Sequence, residues 1–161
     1  MNSQDWIKKL ELLPHPEGGY YKEVYRATEG GYASEKGLRS YGTGIYFLLE
    51  SRHFSAFHRI DADELWHFYA GSSVKIYILH PSGVLEEKIN GSNPDEEAHF
   101  QVVIPAGCWF AAAVIAADSY ALVGCTVAPG FEFEGFELAH KKELLEKYPQ
   151  HKTIIEKYAL D

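Results

Sequence analysis

The sequence predicts a mainly β domain, a sandwich or barrel of short strands with a brief helix before it and helices after it. Two observations carry this. Eleven Tyr and nine Phe stand against a single Met, and aromatic and β-branched side chains suit a pleated, half-buried surface. From Thr43 onward, short apolar stretches recur at regular intervals between turn-forming clusters, the rhythm of an all-β fold. At 161 residues the chain has the size of one domain with one core.

The elements follow in order from local chemistry. Ser3 can cap a short helix through about Leu12, since Trp6, Ile7, Leu10 and Leu13 fall at helical spacing and Pro14 blocks continuation. Two prolines and two glycines in Pro14–Gly19 force irregular backbone, and Tyr20–Arg26 then reads as a strand. Thr28–Gly44, with five glycines, reads as a long mobile loop, either a lid over a site or a surface insertion. Strands are expected at Gly44–Leu49, Phe54–Ile60, Leu65–Tyr69 and Ser73–His80, then at Val84–Lys88, His99–Ile104, Trp109–Val114 and Tyr120–Val127. Between them, Gly71-Ser72, Pro81-Ser82-Gly83, Asn90–Pro94 and Pro105-Ala106-Gly107 supply turn chemistry. Phe54–Ile60 and Leu65–Tyr69 are expected to pair directly through the polar turn Asp61-Ala62-Asp63. After Pro129-Gly130 the period changes to amphipathic helices at Glu137–Tyr148 and Lys152–Leu160, broken at Pro149. Residues 1–161 thus read as one domain, with the barrel over about 20–128 and a helical segment over about 137–160.

Charge and cysteines narrow the function. The net charge is −8 and no basic run exceeds Lys141-Lys142, so a phosphate backbone would be repelled and no nucleic-acid partner is expected. Cys108 and Cys125 lie in apolar runs without the spacing of a zinc or redox site. The N-terminus starts polar and charged, and no apolar window approaches bilayer length, which points to the cytoplasm and away from a membrane.

His58 and Glu64 are the central candidates. Side chains alternate faces along a strand, so on the two strands of the expected pair both can point into one interior, as an acid–base or hydrogen-bonded pair. Trp66 shares the parity of Glu64, whereas His67 should face the other way. Trp109 and Phe110 alternate, so one of them lines the pocket. Tyr46 and Tyr77 are candidates to bring a phenol into it. His15, Glu17, Glu23 and Arg26 form a polar cluster that could close over the pocket or pair across a dimer. There Arg26 either binds a ligand carboxylate or phosphate or makes a salt bridge to a glutamate.

His58, Glu64 and Gly71 at H-x-x-x-x-x-E-x-x-x-x-x-x-G spacing, with Pro105-Ala106-Gly107-Cys108-Trp109 downstream, resemble the two cupin motifs. His15–Arg26, Ile45–Leu49, Asp63–Gly71 and Pro129–Leu138 extend this over nearly the whole chain, which resembles the fifth cupin family, RmlC-like proteins of unknown function. The resemblance implies a jelly-roll β-barrel (double-stranded β-helix), usually homodimeric, without an agreed activity. Metal-binding cupins use His, His, Glu and His at positions that are His58, Ile60, Glu64 and Phe110 here, so neither a bound metal nor another cofactor is expected. The match to a ligand position also favours Phe110 over Trp109 as pocket wall.

Two functions follow as expectations. One is a metal-independent isomerase or epimerase of a sugar-derived carbonyl compound, with His58 as base, a Tyr or Glu64 as acid, and Trp66, Phe110, Trp109, Tyr46, Tyr77 and Arg26 around the substrate. The other is a non-catalytic cupin that holds a small ligand, a sugar or nucleotide-sugar, for sensing or storage. A metal site completed by water and His67 is a third reading.

Overall fold

A computed structural model describes residues 1–161. Helix α1 (Ser3–Leu10) is capped by Asn2, whose side chain accepts from Asp5 N–H while the Asp5 carboxylate accepts from Asn2 N–H. Ser3, the expected cap, instead donates to Glu50 Oε1 at 2.6 Å and ties the helix to the sheet behind it. The chain then forms β1 (Leu13–Pro14), β2 (Tyr20–Arg26), β3 (Tyr32–Ser34), β4 (Gly37–Arg39), β5 (Thr43–Glu50), β6 (Ser55–Ile60) and β7 (Asp63–Gly71). It continues through β8 (Val74–Leu79), β9 (Leu85–Asn90), β10 (Gln101–Ile104), β11 (Trp109–Val114), β12 (Tyr120–Ala128) and β13 (Phe136–Leu138), and ends in α2 (Lys141–Lys147) and α3 (Lys152–Tyr158).

The strands form two antiparallel sheets in a jelly roll, facing each other but not closed, in the orders β1-β2-β5-β12-β7-β10 and β13-β6-β11-β8-β9. Buried Asn90 links them where β9 meets β10, donating to the His99 and Phe100 carbonyls at 3.0 Å each. Here the expected β6–β7 hairpin is overturned. β6 pairs with β11 and β13, and β7 with β12 and β10. Asp61-Ala62 is a corner between sheets, braced where Asp63 Oδ1 accepts from Ala106 N–H at 2.8 Å and Gly107 N–H donates to the Ile60 carbonyl.

Two further expectations are corrected. The segment Thr28–Gly44 contains the β3–β4 hairpin, turned at Gly37 with φ +107°. Arg39 pins it by bonding the Gly130 carbonyl at 2.6 Å and Asp61 at 2.8 Å. Glu137 does not begin a helix: Phe136–Leu138 adds to the edge of β6, with Arg59 and Glu137 paired at 2.7 Å, and the helix starts at Lys141.

Alternation along the strands divides the apolar side chains into three layers. Phe47, Trp66, Ile76, Ile78 and Phe110 fill the space between the sheets. Phe57, Tyr77, Leu79 and Trp109 point outward from the second sheet and pack under α2 and α3 on Leu144, Ile155 and Tyr158. Leu48 and Leu122 sit on the outer face of the first sheet beneath α1. Fully burying such a side chain contributes roughly 1.5–3 kcal/mol, so both outer layers clamp the sheets and leave one end of the interior free for a site.

Candidate functional site

The free end of the interior is a cavity of about 240 Å³ between the two sheets. Ile45, Phe47, Trp66, Cys125 and Val127 form one wall, and His58, Ile60 and Phe136 form the other. The mouth carries Phe131 and Phe133, whose rings pack edge-on with each other at 5.0 Å and with Phe136 at 6.2–6.3 Å. No residue between Thr28 and Gly42 lines it, so the β3–β4 hairpin is not its lid.

Polar groups enter this apolar space from three places. His58 comes from β6, Glu64 from β7, and His15 and Glu17 from the loop between β1 and β2. That loop is held by its glycines. Gly18 and Gly19 have φ of +111° and +77°, and a Cβ on Gly18 would collide with the Phe54 carbonyl. Ala56 N–H donates to the Glu17 carbonyl at 3.0 Å, which fixes Glu17 against β6.

Glu17 is the direct partner of His58. Its Oε2 lies 2.8 Å from His58 Nε2, while His58 Nδ1 donates to the Ala56 carbonyl at 2.7 Å. Both ring nitrogens therefore have an oxygen within 2.8 Å, the surroundings of an imidazolium, although Nε2–H is not aligned on Glu17 Oε2, which closes no hydrogen bond. Burial works against charge on either group, but their mutual attraction outweighs it, raising the His58 pKa and lowering that of Glu17. His15 accepts from Glu17 N–H through Nδ1 at 3.2 Å, and burial lowers its pKa. It stands beside the pair as a neutral ring.

Glu64 lacks such a partner. It is 8% exposed, and burial, reinforced by the negative Glu17 and opposed by His58, raises its pKa to about 7. Two carboxylates share one imidazolium, and Glu64 takes the smaller share. Next to it Cys125 is kept a thiol, its pKa pushed well up by burial and by Glu64.

The other candidate residues divide. Trp66 lines the cavity and is 1% exposed; Phe110 lies behind His58, ring centroids 4.0 Å apart. Trp109, Tyr46 and Tyr77 are corrected, because strand parity turns all three outward. Trp109 packs under the C-terminal helices with the Arg59 guanidinium 4.3 Å above its ring, Tyr77 stacks on Tyr158 at 5.0 Å, and Tyr46 meets Tyr69 on the outer face of the first sheet. Arg26 stands at the mouth, using four of its five N–H donors on Glu23, Glu132 and the Phe131 carbonyl at 2.8–2.9 Å. His67 contacts Thr126 Oγ1 at 2.9 Å on the outside, away from the cavity. Glu17 is the residue whose role the sequence did not assign; the signal was the Pro16-Glu17-Gly18-Gly19 turn, which sets a carboxylate on backbone only glycine can follow.

The donor set does not fit a divalent cation. His58 Nε2 is taken by Glu17, and buried Ile60 and Phe110 put carbon at the two remaining cupin ligand positions. No group of three or more His, Cys, Asp or Glu converges as ligands.

The family profile described as "Cupin superfamily (DUF985)" matches residues 4–139. The solved structure of protein SO0799 from Shewanella oneidensis superposes with a TM-score of 0.92 at 41% identity, covering 99% of this chain and 98% of that one. A hypothetical protein from Leishmania major gives 0.92 at 34% identity over 100% of both chains. The uncharacterized yeast protein YML079W from Saccharomyces cerevisiae is 26% identical over 145 residues, 81% of this chain and 72% of that protein.

Proposed function

The chain belongs to the DUF985 family of the cupin superfamily, and from that premise we propose that it is a metal-independent isomerase of an uncharged, sugar-sized carbonyl compound, with Glu64 as the proton-transfer group. The observation that carries this is a buried carboxyl poised near neutrality, facing the His58–Glu17 ion pair in an apolar cavity. The cavity, at about 240 Å³, is smaller than the ~300–1,000 Å³ typical of drug-sized ligands. It suits a single sugar ring better than a nucleotide-sugar. With Arg26 held by Glu23 and Glu132, Lys22 held by Glu11 and two carboxylates inside, the cavity disfavours a phosphate.

The roles assigned differ from the sequence reading, which had His58 as base and a Tyr or Glu64 as acid. Both nitrogens of His58 are occupied, so it serves as a fixed positive charge. Glu64 takes a proton from the carbon beside the carbonyl, leaving an enediolate whose negative charge is stabilised by the field of the His58 imidazolium. The neighbouring hydroxyl then passes its proton to that oxygen, and Glu64 returns its own to the former carbonyl carbon. The product is the isomeric carbonyl compound, and nothing else is consumed. One carboxylate suffices for this shift, whereas inversion at a carbon needs a second group on the opposite face.

The test is solvent exchange. A panel of neutral ketoses and aldoses is incubated with the protein in deuterium oxide and read by proton NMR. Incorporation by wild type but not by Glu64→Gln is expected, and no incorporation into any compound contradicts the reading. The non-catalytic alternative, a ligand-holding cupin, is favoured by the close ion pairing of His58 with Glu17; a compound that raises the melting temperature and is recovered unchanged would support it. A cytoplasmic homodimer is the setting we propose for either, to be checked by sedimentation.

A further inference from the structure

Resting on the reading of Glu64 as the proton-transfer group, we propose that the indole N–H of Trp66 holds the carbonyl oxygen of the ligand and places the adjacent carbon over Glu64. Trp66 is 1% exposed, yet its Nε1 has no hydrogen-bond partner in the protein, a state folded proteins seldom leave unanswered. Its surroundings explain why. The ring is packed edge-on against Phe47 at 5.6 Å and Phe110 at 6.5 Å, and neither offers a lone pair to the N–H. On the flanking strands it is paired with Val102 and Cys125, an alkyl group and a protonated thiol. The Glu64 carboxyl feels the indole as a donor but does not close a hydrogen bond with it.

Trp66 also lines the cavity, with Nε1 itself covered, so a ligand oxygen that takes up the N–H shifts the indole or the Glu64 carboxyl beside it. Glu64 and Trp66 are two positions apart on β7, hence on one face with their Cα atoms about 7 Å apart. A carbonyl oxygen on the indole N–H therefore has its neighbouring carbon within reach of the carboxyl. As Glu64 removes the proton from that carbon, the electron pair moves onto this oxygen, and the N–H meets the charge where it develops. A donor-only group also selects. It accepts a ketone or aldehyde oxygen and gives nothing to a ligand with carbon in its place.

Cyclohexanone and methylenecyclohexane, which share a shape and differ in the oxygen, are the probes. In 15N-labelled protein the indole N–H signals belong to Trp6, Trp66 and Trp109, and Trp66→Phe identifies the middle one. Cyclohexanone is expected to move the Trp66 indole proton downfield and leave the other two in place, while methylenecyclohexane produces no downfield shift. Trp66→Phe keeps a ring and loses the donor. It is expected to weaken cyclohexanone binding, followed on the Ile45 and Val127 methyl signals, by about 3- to 10-fold, with methylenecyclohexane unchanged. The proposal is overturned if cyclohexanone moves those methyl signals but not the Trp66 proton, or moves nothing up to its solubility limit. Because turnover is not read, a shifted Trp66 signal without deuterium exchange in the sugar panel removes the isomerase and leaves the carbonyl donor standing.

Discussion

Glu17 Oε2 lies 2.8 Å from His58 Nε2, with the side chains 8% and 4% exposed. A contact this short between two buried groups that can each carry charge fixes how protons are distributed in the whole pocket. His58 holds one on each nitrogen, Glu17 holds none, and Glu64 is left to titrate.

Glu17→Gln removes the partner of a buried imidazolium. Breaking such a pair costs about 3–5 kcal/mol when one charge is left behind, so urea unfolding at pH 6 should show a loss of that order. The histidine answers by giving up its proton. Imidazole NMR should place the His58 pKa lower in the variant than in wild type, since burial is then opposed only by the Ala56 carbonyl and Glu64. An unchanged His58 titration would contradict the pairing.

Stability should fall as pH rises from about 4.5 to about 7, and Glu64 sets the sign. Its folded pKa of about 7 exceeds the unfolded 4.5, so the native state binds more protons across that window and loses stability as they leave. At 1.36 kcal/mol per unit the full effect is about 3 kcal/mol. His58, also raised, adds a loss that begins above its unfolded 6.5 and continues through its folded pKa. Glu17, lowered, acts oppositely: its contribution is present above 4.5 and lost as pH falls through its folded pKa. Glu64→Gln should therefore be more stable than wild type at pH 8, with a flatter profile between pH 5 and 7. Chemical denaturation at several pH values checks both.

Trp109→Ala should damage the fold and spare the pocket. Its ring is 8% exposed, under the C-terminal helices, and truncating a buried Trp or Phe to Ala typically costs 3–5 kcal/mol. Thermal unfolding should register that loss, while cyclohexanone affinity at a temperature where the variant is folded should match wild type. A changed affinity at full folding would place Trp109 in the site after all.

How much of this could be read from the chain depends on how local each feature is. The strands and turns were legible because alternation and glycine or proline chemistry act over a few residues; Trp109–Val114 has the expected limits. That His58 and Glu64 share an interior was legible from parity. Their route to it was not, because Asp61-Ala62-Asp63 is chemically the same whether the chain doubles back within a sheet or crosses to the facing one. Parity also needs an absolute reference. For Tyr46, Tyr77 and Trp109 that reference is the packing of α1, α2 and α3, set by contacts distant in sequence. Glu17 is distant in the same sense, forty-one positions before His58, and joins it only through the glycine turn after β1.

The carboxyl titration of Glu64 tests the central claim most directly. With 13C-labelled glutamate and Glu64→Gln to assign the signal, the side-chain carboxyl shift is followed from pH 4 to 9. A midpoint near 7 is predicted. A midpoint near the ordinary 4.5 would mean that Glu64 is an ionised carboxylate throughout the neutral range, and would contradict its role as the proton-transfer group.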